Sequence, residues 1–151
     1  MKGHKSFHEK LHTNNGLPVI GPVPDRMLAK VGPGQMVVPA PVEVDAIIRT
    51  IPAGYLATTD GLRSAVARSH NVTTACPLVV GISVMLSARA AVETDDSTPW
   101  WRVLKADGEL NPKFPGDVML QKSLLENEGH TIIQRGKKSV VADFRSKLAG
   151  L

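Results

Sequence analysis

Cysteine is almost absent: the chain of 151 residues has one, Cys76. A single thiol excludes an internal disulfide framework and a multi-thiolate zinc site. Aromatic residues make up only 4% of the chain, too few for the rows of stacking side chains that single-strand binders use. The longest apolar stretch, from Ala75 to Leu86, is interrupted by Pro77, Gly81 and Ser83, so no membrane span and no membrane partner are expected. Met1-Lys2-Gly3-His4-Lys5 has no apolar run behind it and does not read as a signal peptide. The expectation is a soluble, cytoplasmic protein without a metal or cofactor. Its 42% apolar and 21% charged content suits one globular domain.

The net charge of +4 is compatible with a polyanionic partner but does not establish one. Basic residues are spread out. Arg135-Gly136-Lys137-Lys138 is the one tight group, and Lys2, Lys5 and Lys10 form a looser series. A short basic run is also what a solvated turn looks like.

Proline is plentiful early on. Asn14-Asn15-Gly16 interrupts any first helix, and Pro18, Pro22, Pro24, Pro33, Pro39 and Pro41 follow. Proline fixes φ and removes a donor, so residues 1–40 read as a proline-rich, extended or turned N-terminal arm. His4, His8 and His12 share helical spacing, but no further ligand type completes a metal set, and a frayed, solvated helix is the expectation. Order is expected to begin near Pro41, with a domain over 41–151.

Three helices follow by pattern. Pro41 to Arg49 has proline at its start, Glu43 and Asp45 early, and an apolar stripe of Val44, Ile47, Ile48 and Ile51. Thr58 or Thr59 caps a second helix containing Leu62, Ala65 and Val66. A third opens with Pro77 and runs towards Glu93, with Gly81 read as a close approach to another backbone. Trp101-Arg102-Val103-Leu104-Lys105 alternates like a strand, and Asp107-Gly108 marks a turn. Val118 to Asn127 is helical, Thr131-Ile132-Ile133 and Ser139-Val140-Val141 form a hairpin, and Ala142 to Leu151 is a short helix or tail. The outline is an α+β, mostly helical fold: a winged helix-turn-helix with small β-hairpins and a proline-rich N-terminal arm.

Six short motifs occur in a telling order. They are Ile51-Pro52-Ala53-Gly54, Thr58-Thr59, Val80-Gly81, Pro99-Trp100-Trp101-Arg102-Val103, Asp107-Gly108 and Leu125-Glu126-Asn127-Glu128-Gly129-His130. From about Pro41 to Ile133 the chain resembles the DNA-binding domain of the alkylguanine-DNA alkyltransferases, and their cysteine-less alkyltransferase-like relatives. The resemblance implies double-stranded DNA, alkylated or not, as partner. In the repair enzymes the central motif reads Pro-Cys-His-Arg-Val: its cysteine takes an alkyl group from a flipped guanine, and its histidine acts as base. Here Trp100 stands at the nucleophile position and Trp101 at the base position, while Glu128 matches the family's glutamate. An indole is neither a thiolate nor a proton acceptor, so the family's chemistry is not expected.

The resemblance places further candidate DNA contacts at Thr59, Leu78, Gly81, Trp100 and Arg102. Lys105 and Arg135, with Lys113, Lys137 and Lys138, lie on the expected wing and hairpin turns as either phosphate contacts or a solvated mixed-charge surface. Leu78 replaces the family's base-displacing arginine, and Thr59 falls near its tyrosine. Alternatives stand beside each. Trp100 either stacks on an extruded base or fills a dead pocket, and Leu78 is a wedge between bases or a core residue. Arg102 either contacts DNA or pairs with Glu128. Cys76 is a small buried hydrophobe or a relocated alkyl acceptor. Three functions follow: a non-catalytic alkyltransferase-like DNA-binding protein recognising alkylated guanine, a protein-interaction module without DNA binding, or a methylated-DNA–protein cysteine methyltransferase using Cys76.

Overall fold

The computed structural model describes residues 5–151; residues 1–4, with the Lys2 and His4 weighed above, lie outside the described part. The fold is α+β and mostly helical, with three small sheets among the described residues.

The helices form where the caps and periodicity direct. Helix α3 (Pro41–Ile48) starts on proline, and the Glu43 carboxylate accepts the Ala40 N–H at 2.7 Å. Helix α4 (Thr59–Ser69) is capped by Thr58, whose Oγ1 accepts the Gly61 N–H at 3.1 Å. Helix α5 (Pro77–Thr94) is the long central element, and helix α6 (Asp117–Asn127) follows the loop that contains Phe114. By length and composition alone α5 passes for a membrane span, with mean hydropathy 1.3, despite the Pro77, Gly81 and Ser83 that interrupt its apolar run. It is instead the central core helix. It packs against α3 and α4 and buries Val80, Val84, Ala88 and Ala91. Asp45, nearly inaccessible, accepts from Ser87 Oγ at 2.6 Å and from Arg49 Nε at 2.8 Å. Arg49 also donates to Asp96, so one arginine ties α3 to the turn after α5.

Order begins well before Pro41, contrary to the sequence expectation. Helix α1 (Phe7–Leu11) is capped by Ser6 and docks on α5, with Leu11 buried. Its Phe7 and His8 N–H groups donate to the Glu93 carboxylate at 3.2 and 3.1 Å. The carboxylate meets the positive end of the short helix, and the His8 bond, aided by the Phe7 bond, lowers the Glu93 pKa. The helix is therefore docked rather than frayed. Strands β1 (Val19–Pro22) and β2 (Gln35–Val38) then form an antiparallel pair, with a short helix α2 (Leu28–Val31) between them. Through β2 this hairpin joins strand β4 (Thr74–Ala75) in parallel, just ahead of α5.

The remaining strands set the motif region. Strand β3 (Ala57–Thr58) pairs in parallel with strand β5 (Val103–Leu104). Strands β6 (Ile132–Arg135) and β7 (Lys138–Val141) make the expected hairpin, and a 3₁₀ turn at Phe144–Lys147 follows. Leu56 bridges to Leu148, which brings the C-terminal segment back beside β3.

Candidate functional site

The segment that carries the family resemblance is a turn, not the alternating strand expected from its sequence. Trp100–Arg102 forms a 3₁₀ turn, and only Val103 and Leu104 continue as strand. Because β5 lies beside β3, the motif sits next to Thr58 and Thr59 at the start of α4. Gln121, which the sequence reading passed over, locks it there. Its side chain is fully buried in α6 and donates to the Trp101 and Val103 carbonyls at 3.1 and 3.0 Å, while its oxygen accepts the Asn111 N–H at 2.9 Å. A buried amide with its bonds satisfied fixes a unique geometry.

Trp100 is 3% exposed and belongs to the main core cluster. Its ring meets Phe114 edge-on at 5.2 Å between centroids and Trp101 at 5.9 Å. Trp100, which the motif resemblance sets at the nucleophile position, is thus a packed aromatic residue. Trp101 is half-buried, and its Nε1 has no partner of hydrogen-bond geometry. It lies near enough to Glu128 to favour that carboxylate's ionised form.

Arg102 is committed inside the protein. Its Nε donates to Glu128 Oε1 at 2.9 Å, Nη2 to Glu128 Oε2 at 2.6 Å and Nη1 to the Ile51 carbonyl at 2.6 Å, while its guanidinium lies over the Trp101 ring. Such a fork-to-carboxylate pair is the strong kind of ion pair. Burial opposes ionisation of Glu128, but the hydrogen bonds and charge of Arg102 outweigh it and hold the carboxyl below its usual range. Glu128 therefore clamps Arg102, joining the end of α6 to Ile51 after α3. His130 nearby is buried with an unpartnered Nε2. Burial lowers its pKa, with Lys147 and Arg102 adding to the effect against the pull of Glu128.

The other candidates lie apart from this core. Leu78, 69% exposed in the first turn of α5, is not a core residue. Gly81 faces open space, since a Cβ added there would meet nothing within 4 Å; the close internal approach read into it from sequence is not there. Thr59 is half-buried at the start of α4. Lys105 pairs with Glu109 at 3.5 Å, and Lys138 reaches both Glu109 and Asp107, so acids already neutralise part of this basic group. Arg135 is exposed on β6 and, with Asp107 and Arg145, lines a cleft of about 350 Å³ beside the hairpin. Cys76, 7% exposed, precedes Pro77 and packs with Val23 and Met36.

The chain has an alkyltransferase-like fold, with Trp100 of the Pro99–Val103 motif packed in its core. Two solved structures share that fold. One is the crystal structure of S. pombe Atl1 in complex with damaged DNA containing O6-carboxymethylguanine, at TM-score 0.57 and 19% identity over 74% of this chain and 94% of that one. The other is S. pombe ATL in complex with DNA, at TM-score 0.56 with the same identity and coverage. At that identity the likeness is one of fold. No protein-family model and no curated protein matches the chain.

Proposed function

We propose that this chain is a non-catalytic DNA-binding protein of the alkyltransferase-like kind, acting in DNA repair. The observation that carries the reading is the fold shared with S. pombe Atl1, a protein solved on damaged DNA. The motif order from Ile51 to His130 agrees with it. On this reading the open first turns of α5, with Leu78 and Gly81, face the duplex, and the β6–β7 hairpin serves as a wing bearing Arg135. Arg102, Trp100 and Glu128 hold the scaffold behind them. Alkyl transfer has no place in it, because the motif holds no thiol and Cys76 is buried against Val23 and Met36.

Recognition of an alkylated guanine is the finer form of the proposal. Its support is the lesion in the Atl1 complex. Against stacking by Trp100 stands that ring's burial. The test is fluorescence anisotropy with matched duplexes, one carrying O6-methylguanine. Tighter binding to the lesion duplex supports the finer form. Equal, salt-dependent binding leaves DNA binding and removes lesion recognition. No saturable binding at low salt overturns the proposal.

A second reading, a protein-interaction module, is favoured by one observation. The exposed row on α5, with Leu78 at 69% and Ile82 at 50%, is apolar and uncharged. A defined protein partner that is lost in Leu78→Asp, with no DNA affinity at low salt, selects it.

A further inference from the structure

Helix α5 carries no charged residue from Pro77 to Ala88. Its first basic side chain, Arg89, is engaged: Nη2 donates to the Lys113 carbonyl at 3.1 Å, and the guanidinium lies 5.6 Å from the centre of the Phe7 ring. A helix that meets a duplex without cations gains none of the counterion-release term that dominates DNA affinity. If α5 faces DNA, the phosphate contacts on this side must come from another part of the chain.

The N-terminal segment is placed to supply them. Leu78, Ile82 and Leu86 are four residues apart and form one row along α5. The far end of that row enters a groove of about 330 Å³, whose walls include Lys5 and Lys10 as well as Leu17 and Pro41. No acidic residue lines this groove. Among the described residues neither lysine forms an ion pair, in contrast to Lys105 and Lys138 on the hairpin side. Both lysines are exposed, and their backbone is anchored rather than loose. Glu93 binds the start of α1, and Leu11 is sunk against α5. Lys10 Nζ also lies 5.3 Å from the centre of the Phe7 ring. Among the described residues the segment thus holds two cations without acidic partners, one of them over an aromatic face, beside an uncharged helix face.

We infer that residues 5–17 are part of the nucleic-acid interface, with Lys5 and Lys10 contacting the phosphodiester backbone of the duplex that α5 faces. This rests on the DNA-binding reading. The apolar row gives shape, and the segment before α3 gives charge; neither alone makes a duplex site.

The test is the salt dependence of binding to a short, unmodified, fluorescein-labelled duplex. Each phosphate contact contributes about 0.9 to the slope of log K against log salt. Lys5→Ala/Lys10→Ala should therefore lower the slope by about 1.8 relative to wild type, whereas Lys5→Arg/Lys10→Arg should keep it. Both side chains are exposed, so a far-ultraviolet circular dichroism spectrum identical to wild type is expected for each variant. An unchanged slope in the alanine variant, with wild type still binding, overturns this inference and leaves the DNA reading standing. Wild type that does not bind the duplex at low salt overturns both.

Discussion

Trp100→Ala separates a tryptophan that is core from one that is a platform for an extruded base. The ring is 3% exposed and touches Phe114 and Trp101 edge-on. Truncating a buried tryptophan costs about 3–5 kcal/mol, from lost transfer energy plus the cavity left behind. At this chain length each kcal/mol moves Tm by about 2–4 °C, so a fall of roughly 6–20 °C is expected. The assay is thermal and urea unfolding of wild type, Trp100→Ala and Trp100→Phe, with the phenylalanine variant recovering part of the loss because it refills some of the volume. Emission offers a second readout: Trp100 should emit to the blue of Trp101 and resist acrylamide quenching. A loss under about 1 kcal/mol, with free quenching of Trp100, would place the ring on an open surface and refute the reasoning.

Other expectations follow from single contacts. Gly81→Ala should stabilise the protein by about 0.5–1 kcal/mol in urea unfolding, since alanine suits a helix interior better and the added Cβ meets nothing within 4 Å; destabilisation would show an internal close approach after all. Gly108→Ala should destabilise by about 2–4 kcal/mol, because φ is +85° and a Cβ would lie 2.4 Å from Phe144 Cδ1. A loss within the noise of chemical denaturation would contradict that packing. Glu128 has a lowered pKa in the folded protein, so its contribution is present above the ordinary value of 4.5 and is lost as pH falls through the depressed one. Glu128→Gln should therefore be less stable than wild type at pH 7, with the gap narrowing in acid. A gap that does not change with pH would remove the ionic part of the Arg102 clamp.

Much of the helical part was legible because its ends carry explicit chemistry. Pro41 and Pro77 open helices, and Thr58 caps one. The hairpin at Arg135–Lys138 was legible from two β-branched runs about a short turn. The pairing of β3 with β5 was not, since each strand has two residues and the partners lie far apart in sequence. The Trp100–Arg102 turn alternates in sequence as a strand would, and only Gln121 on α6 reveals why it is held otherwise. Prolines signalled an extended N-terminal segment but could not show that β2 would join β4 or that α1 would dock on α5. Among the candidate site residues, the Arg102–Glu128 pair was readable from motif and charge. The burial of Trp100 and the exposure of Leu78 were not, because an apolar side chain in a helix or turn does not announce which face it occupies.

The most direct test of DNA binding is an amide chemical-shift map of the isotopically labelled protein titrated with an unmodified duplex at low salt. Binding as proposed predicts shifts at Leu78, Gly81 and Ile82 of α5, at Arg135 to Lys138 of the hairpin and at Lys5 and Lys10. The amides of Trp100 and Gln121 should change little. A spectrum unchanged by saturating duplex, or shifts confined to surfaces away from α5 and the hairpin, would contradict it.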